Sequence, residues 1–228
     1  KAAIETLIPT SLMMILLDSS FTLIKPSQPV GLVYAQHLEA STNLTVDPAT
    51  IQAAFRSSFA RAPSPTYTRD SSGHDTEVSW WRSLVLQIFS DTLGKSSLST
   101  PAPKLEACFN SLFDHYAQPT SWELYPETVF FLEAASKIGT IAVVSNFDNR
   151  LVPILNGLGI GSFFKDVITS ADALARKPER KIFDFALKRL NCRAEETCFC
   201  GDSYEADYLG ASSAGIRSFH LKRPANTL

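Results

Sequence analysis

The chain has 228 residues, 45% of them hydrophobic and 19% charged, enough apolar material for a sizeable buried core and too much for bulk disorder. A net charge of −2 and a pI near 6.1 lack the electrostatic footprint of a nucleic-acid or membrane-surface binder. No stretch approaches the roughly 20 apolar residues that cross a bilayer; residues 7–18 are too short, contain Pro9 and end in an acid.

The first predicted strand is "MMILLD", an apolar run that delivers Asp18 to the rim of a sheet and is followed by Ser19-Ser20-Phe21-Thr22. A segment of different texture comes next, in which "IQAAFRSSFA" places Ile51, Phe55 and Phe59 four residues apart. "VSWWRSLVLQIF" groups Trp81, Leu84, Val85, Ile88 and Phe89, and "LEACFNSLFDHY" groups Leu105, Cys108, Phe109, Leu112, Phe113 and Tyr116. This spacing predicts amphipathic helices, joined by the polar, proline-bearing linkers "RAPSPTYTRDSSGHD" and "GKSSLSTPAPK". Residues 26–122 therefore read as a helical insert after the first strand of an α/β domain that comprises residues 1–25 and 123–228. The aromatic stripes are read first as core, with the lining of a ligand pocket or a surface for a protein partner as the alternatives.

Beyond the insert, short apolar runs alternate with helical patterns. "GTIAVVSN", "KDVITSA", "TCFCGDS" and "IRSFHLK" read as strands, and "ETVFFLEAASKI", "NRLVPILNGLGI", "ERKIFDFALKRL" and "EADYLGASSAG" as the intervening helices. Such alternation predicts right-handed βαβ units and a parallel sheet. Cys198 and Cys200 alternate on one face of a strand, and the four cysteines form neither a CxxC nor a metal pattern. They are read as reduced core thiols. The four histidines show no zinc spacing. A reducing intracellular compartment is expected: the cytoplasm or, with a leader removed ahead of Lys1, an organelle.

Four stretches that carry chemistry follow predicted strands. They supply Asp18, then Ser145 and Asn146, then Lys177 ahead of Pro178, then Asp202 and Asp207 in "GDSYEAD". Ligands bind outside the carboxyl ends of the strands of an open parallel sheet. Carboxylates, a small hydroxyl and a lysine gathered there suit a phosphoryl group and a divalent metal. An aspartate can act as nucleophile and form an acyl phosphate. Magnesium takes oxygen ligands, commonly one or two carboxylates. A lysine and a hydroxyl can hold phosphate oxygens. Each stretch by itself is also compatible with a turn or a helix cap.

Together these residues resemble the haloacid dehalogenase-like hydrolase superfamily, over 13–221 and most clearly across "YPETVFFLEAASKIGTIAVVSNFDNRLVPILNGLGIGSFFKDVITSADALARKPERKIFDFAL" and "CFCGDSYEADYLGASSAGI". The resemblance implies a Rossmann-like core of strand order 3-2-1-4-5 with an inserted helical cap. It implies Asp18 as nucleophile, with Ser20 and Lys177 as further catalytic positions. Ser145, Asn146 and Lys177 would hold substrate, and Asp18, Ser20, Asp202 and Asp207 would hold magnesium, Ser20 through its backbone carbonyl.

Phosphatases of the superfamily carry D-x-D-x-T, whereas here the second aspartate is Ser20 and the glycine after it is Phe21. A serine hydroxyl cannot exchange a proton reversibly near neutral pH, and the role it leaves empty is typically worth about 10²–10⁴-fold. Three classes are weighed. The preferred one is a weak magnesium-dependent phosphohydrolase or phosphotransferase acting on a small phosphorylated molecule. The second is a catalytically silent binding or assembly subunit. The third is a metal-independent dehalogenase, disfavoured by the acidic pair.

Overall fold

The computed structural model describes residues 13–68, 70–94 and 100–223. The start of the chain and the middle of the second proline-bearing linker lie outside the described residues. The described chain falls into two compact units, divided between Lys25 and Pro26 and again between Glu123 and Leu124.

The first unit is built on five strands: β1 (Met13–Leu17), β4 (Gly139–Ser145), β5 (Phe164–Thr169), β6 (Thr197–Gly201) and β7 (Arg217–His220). The short strands β2 (Ile24–Pro26) and β3 (Trp122–Leu124) form a separate two-stranded sheet at the two unit boundaries. The main sheet is parallel in the order β5-β4-β1-β6-β7, which is 3-2-1-4-5 when its own five strands are counted in chain order. In register, Leu17 of β1 faces Val143 on one side and Cys200 on the other.

Alternate residues of β1 point to opposite faces. Met14 and Leu16 join Phe183 and Ile182 of the helix Arg180–Leu190 in one core cluster. Ile15 and Leu17 point away from that helix and are also buried. Burial on both faces erases the period-two pattern, so the strand reads as an unbroken apolar run. Three central parallel strands ending together place Asp18, Ser145 and the residues after Gly201 on one rim. The Asp18 amide extends the ladder by donating to the Cys200 carbonyl at 3.0 Å.

The second unit holds the helices α1 (Val30–Thr42), α2 (Pro48–Arg61), α3 (Gly73–Leu93) and α4 (Ala102–His115). Asp47 caps α2 through the amides of Ala49 and Thr50, with Pro48 in the first turn, and Ser72 caps α3 through the Asp75 amide. Val33, Leu38, Ile51, Phe55, Leu84, Val85, Ile88, Phe89, Cys108, Phe109 and Leu112 form its core.

Three features differ from expectation. Helix α1 has no counterpart in the sequence reading; it starts without a side-chain cap and packs closely through Gly31, where a Cβ would lie 2.2 Å from the Pro48 carbonyl oxygen. Phe59 belongs to the predicted core stripe but is 41% exposed, stacked on Phe55 and Trp81. The segment "EADYLGASSAG" is not one helix: a π-helical turn (Tyr204–Leu209) runs into a short α-helix (Gly210–Ser213).

Candidate functional site

Asp18 lies 6% exposed at the end of β1. Its Oδ1 accepts from Ser145 Oγ at 2.9 Å and from Lys177 Nζ at 2.6 Å, and its Oδ2 accepts from Thr22 Oγ1 at 3.2 Å. Ser145 is itself oriented by Ser19, whose hydroxyl donates to Ser145 Oγ at 2.8 Å. This chain of two buried hydroxyls ending on a carboxylate is satisfied at every step.

Lys177 is buried, and its Nζ also donates to Asp207 Oδ1 at 2.6 Å. Asn146 meets the backbone of Lys177 and not its ammonium: its Oδ1 accepts from the Lys177 amide at 2.8 Å and its Nδ2 donates to the Lys177 carbonyl at 3.0 Å. That two-point contact fixes the segment carrying the lysine, so the Asn146 amide is engaged on the protein itself.

Asp207 sits on the π-helical turn, where its Oδ2 accepts from the Ser203 amide at 2.9 Å. The turn comes close enough to β6 that a Cβ on Gly201 would stand 2.2 Å from Asp207 Oδ2, so only glycine fits there. Asp202 is half-buried and reaches the same cluster. One carboxylate oxygen each of Asp18, Asp202 and Asp207 lie within 4.8 Å of one another.

Thr22 links the two halves of the site. Its Oγ1 accepts from the Asp202 amide at 3.1 Å and stands 3.2 Å from both Asp202 Oδ1 and Asp18 Oδ2, so its single proton bonds one of them at a time. Thr22 and Ser19 escaped the sequence reading, although Thr22 is the threonine of the D-x-D-x-T pattern. Ser20 is partly exposed, bridges backbone to backbone with Ile24 and adds no carboxylate. Phe21 has φ 61°, the left-handed conformation that favours glycine and that is costly for a bulky side chain.

The charges are out of balance. Burial, and then the charges of Asp18 and Asp207, push Asp202 up to about 7. Burial works against the Lys177 ammonium, but Asp18 and Asp207 outweigh it and hold its pKa above the ordinary lysine value. Three carboxylates stand against one lysine, which pairs with Asp18 and Asp207 and leaves Asp202 without a paired cation among the described residues. An oxygen-only donor set with that deficit matches a hard divalent cation. Cys200 beside the rim is pushed up to about 11 by burial and by Cys198 and Asp207, so its thiol stays neutral. All four cysteines are free.

With sheet order and rim established, comparison with known proteins places the chain in a class. Residues 22–215 match the haloacid dehalogenase-like hydrolase family, and the chain belongs to it. It is 35% identical over 212 residues to haloacid dehalogenase-like hydrolase domain-containing protein 3 of Danio rerio, covering 92% of this chain and 84% of that protein. A phosphoglycolate phosphatase of Vibrio cholerae is 34% identical over 125 residues, 53% of this chain and 55% of its own. A HAD-hydrolase of Bacillus subtilis, solved bound to magnesium, superposes with a TM-score of 0.66 at 20% identity, covering 92% of this chain and 88% of that one.

Proposed function

We propose that the protein is a magnesium-dependent phosphohydrolase of low efficiency, with Asp18 as nucleophile. The observation that carries this reading is the contact of one buried carboxylate, Asp18, with Ser145 Oγ and Lys177 Nζ, while Asp202 and Asp207 converge on the same point. Asp18 and Asp207 share one buried lysine at the carboxyl rim of a parallel sheet, where ligands of open α/β sheets bind. The phosphatase among the relatives supports the reaction class.

Asp18, Asp202 and Asp207 would hold the magnesium ion, which when bound supplies charge neutralisation for an incoming phosphate. A carboxylate oxygen of Asp18 bonds to phosphorus as the bond from phosphorus to the leaving oxygen breaks. Lys177 and Ser145 stand beside that carboxylate as donors for phosphoryl oxygens. Water then attacks the phosphorus of the acyl phosphate, the bond from phosphorus to the Asp18 oxygen breaks to regenerate the carboxylate, and the water proton passes to bulk solvent or to the departing phosphate. Ser20 cannot take that proton, nor can it protonate a leaving alkoxide. The substrates served best are therefore phosphates whose leaving groups depart as stable anions, aryl and acyl phosphates, and the acyl phosphate on Asp18 is long-lived. The helical second unit serves as the cap in this reading.

A second reading, a silent family member that binds or assembles, is favoured by Ser20 and by the left-handed Phe21 beside the nucleophile. Hydrolysis of an aryl phosphate with and without magnesium, native chain against Asp18→Asn, separates the two. The hydrolase reading expects magnesium-dependent turnover in the native chain that the substitution abolishes. Equal release by both proteins leaves the silent reading standing.

A further inference from the structure

Phe21 holds the left-handed conformation, which crowds the Cβ of a non-glycine residue against the backbone. Such a residue persists only where its surroundings over-determine the backbone. Part of the constraint is local: the amides of Thr22, Leu23 and Ile24 all point at the Ser19 carbonyl, at 3.3, 2.8 and 3.0 Å. The rest comes from the far end of the chain. Arg223 Nε donates to the Phe21 carbonyl at 3.1 Å, and one of its terminal nitrogens donates to the Thr22 carbonyl. The planar fork of one guanidinium thus fixes the peptide groups on both sides of the Thr22 Cα.

Arg223 is itself held. Its guanidinium stacks 3.5 Å from the centre of the Tyr125 ring, and its remaining terminal nitrogen pairs with Glu127. The same stretch holds the next carbonyl of the loop: Leu23 accepts from the Tyr125 amide at 3.1 Å and from Thr128 Oγ1 at 2.8 Å. Three successive carbonyls, of Phe21, Thr22 and Leu23, are therefore pinned by Arg223 and by residues 125–128.

We propose that Arg223 is a positioning residue for the site: by gripping the backbone of Phe21 and Thr22 it aims the Thr22 hydroxyl between Asp18 and Asp202 and sets the spacing of those two carboxylates. It touches no carboxylate of the cluster and acts only through Thr22. The magnesium part of this inference rests on the hydrolase reading; the loop part does not.

The test compares the native chain with Arg223→Met, which keeps the stem and loses the fork, and with Arg223→Lys, which keeps the charge and one point of attachment. Amide hydrogen exchange on metal-free protein reports the loop, and calorimetric titration with magnesium chloride reports the carboxylates. Loss of a charged hydrogen bond is expected to speed exchange at residues 21–24 by about tenfold or more and to weaken magnesium binding by a similar factor. Exchange in β1 and β4 should stay unchanged, and Arg223→Lys should fall between the other two proteins. Native exchange rates at residues 21–24 in Arg223→Met would overturn the proposal, and so would faster exchange with unaltered magnesium affinity. Failure of the native chain itself to bind magnesium would sink the hydrolase reading, and the exchange arm would then decide the clamp alone.

Discussion

Replacing Lys177 by methionine removes the only positive charge in contact with Asp18 and Asp207 among the described residues while keeping the length of the side chain. Each Lys177–carboxylate contact is 2.6 Å, an attraction of about 6 kcal/mol at an effective dielectric near 20. Desolvation of the three buried ions takes back several kcal/mol apiece, so the gross figure is not the loss to be measured. What remains after substitution is three carboxylates with an oxygen each within 4.8 Å of the others, a repulsion of about 3 kcal/mol for each ionised pair by the same rule. The expected cost is about 3–5 kcal/mol, in line with removing one partner from a buried ion pair. For a chain of this size that lowers Tm by about 6–20 °C. The loss must also depend on pH, because Asp202, held up to about 7 by burial and by the charges of Asp18 and Asp207, is ionised at about pH 8 and protonated at about pH 5, so the cluster without its lysine carries one negative charge fewer at the lower pH. Thermal unfolding followed by circular dichroism in a chelator, at about pH 8 and about pH 5, reads both effects. A Lys177→Met protein that melts with the native chain at the higher pH, or loses the same amount at both, would refute this account of the site.

Two further outcomes are expected. The double substitution Ser20→Asp with Phe21→Gly restores a proton-transfer group and a residue at ease with positive φ, and should raise turnover of an aryl phosphate by about 10–10³-fold; no gain in a folded, magnesium-binding double mutant would place the defect elsewhere. Asp202 is held up to about 7 in the folded chain, against an ordinary carboxylate value when unfolded, so its contribution to stability is full at low pH and lost as pH rises through about 7. Metal-free protein should therefore lose Tm across that window, magnesium should restore it by binding the ionised cluster, and Asp202→Ala should remove both effects; a magnesium shift that survives Asp202→Ala would count against the site.

The core was legible because its signals are local. Strands β1, β4 and β6 are short apolar runs that end in polar residues, and alternation with helices leaves a parallel sheet as the economical arrangement. Helix α1 was not legible, since it lacks a side-chain cap and its fit depends on the close approach of Gly31 to Pro48, a contact between elements. Phe59 was misjudged because helical spacing says which residues share a face and not how far the neighbouring helices cover it.

At the site the division follows sequence distance. The sequence by itself determined which residue types end each strand: an acid at 18, a hydroxyl at 145, a lysine at 177, acids at 202 and 207, and no acid at 20. Only the tertiary structure decided how they are used. It turned Asn146 onto the Lys177 backbone, set Lys177 between Asp18 and Asp207, made Thr22 the bridge to Asp202, and brought Arg223 from 202 residues away onto the Phe21 carbonyl. Strand ends can be read from hydrophobic patterning because burial acts residue by residue. Partners of a hydrogen bond or an ion pair are chosen by distances of a few ångströms, and those exist only once parallel strands have aligned their carboxyl ends.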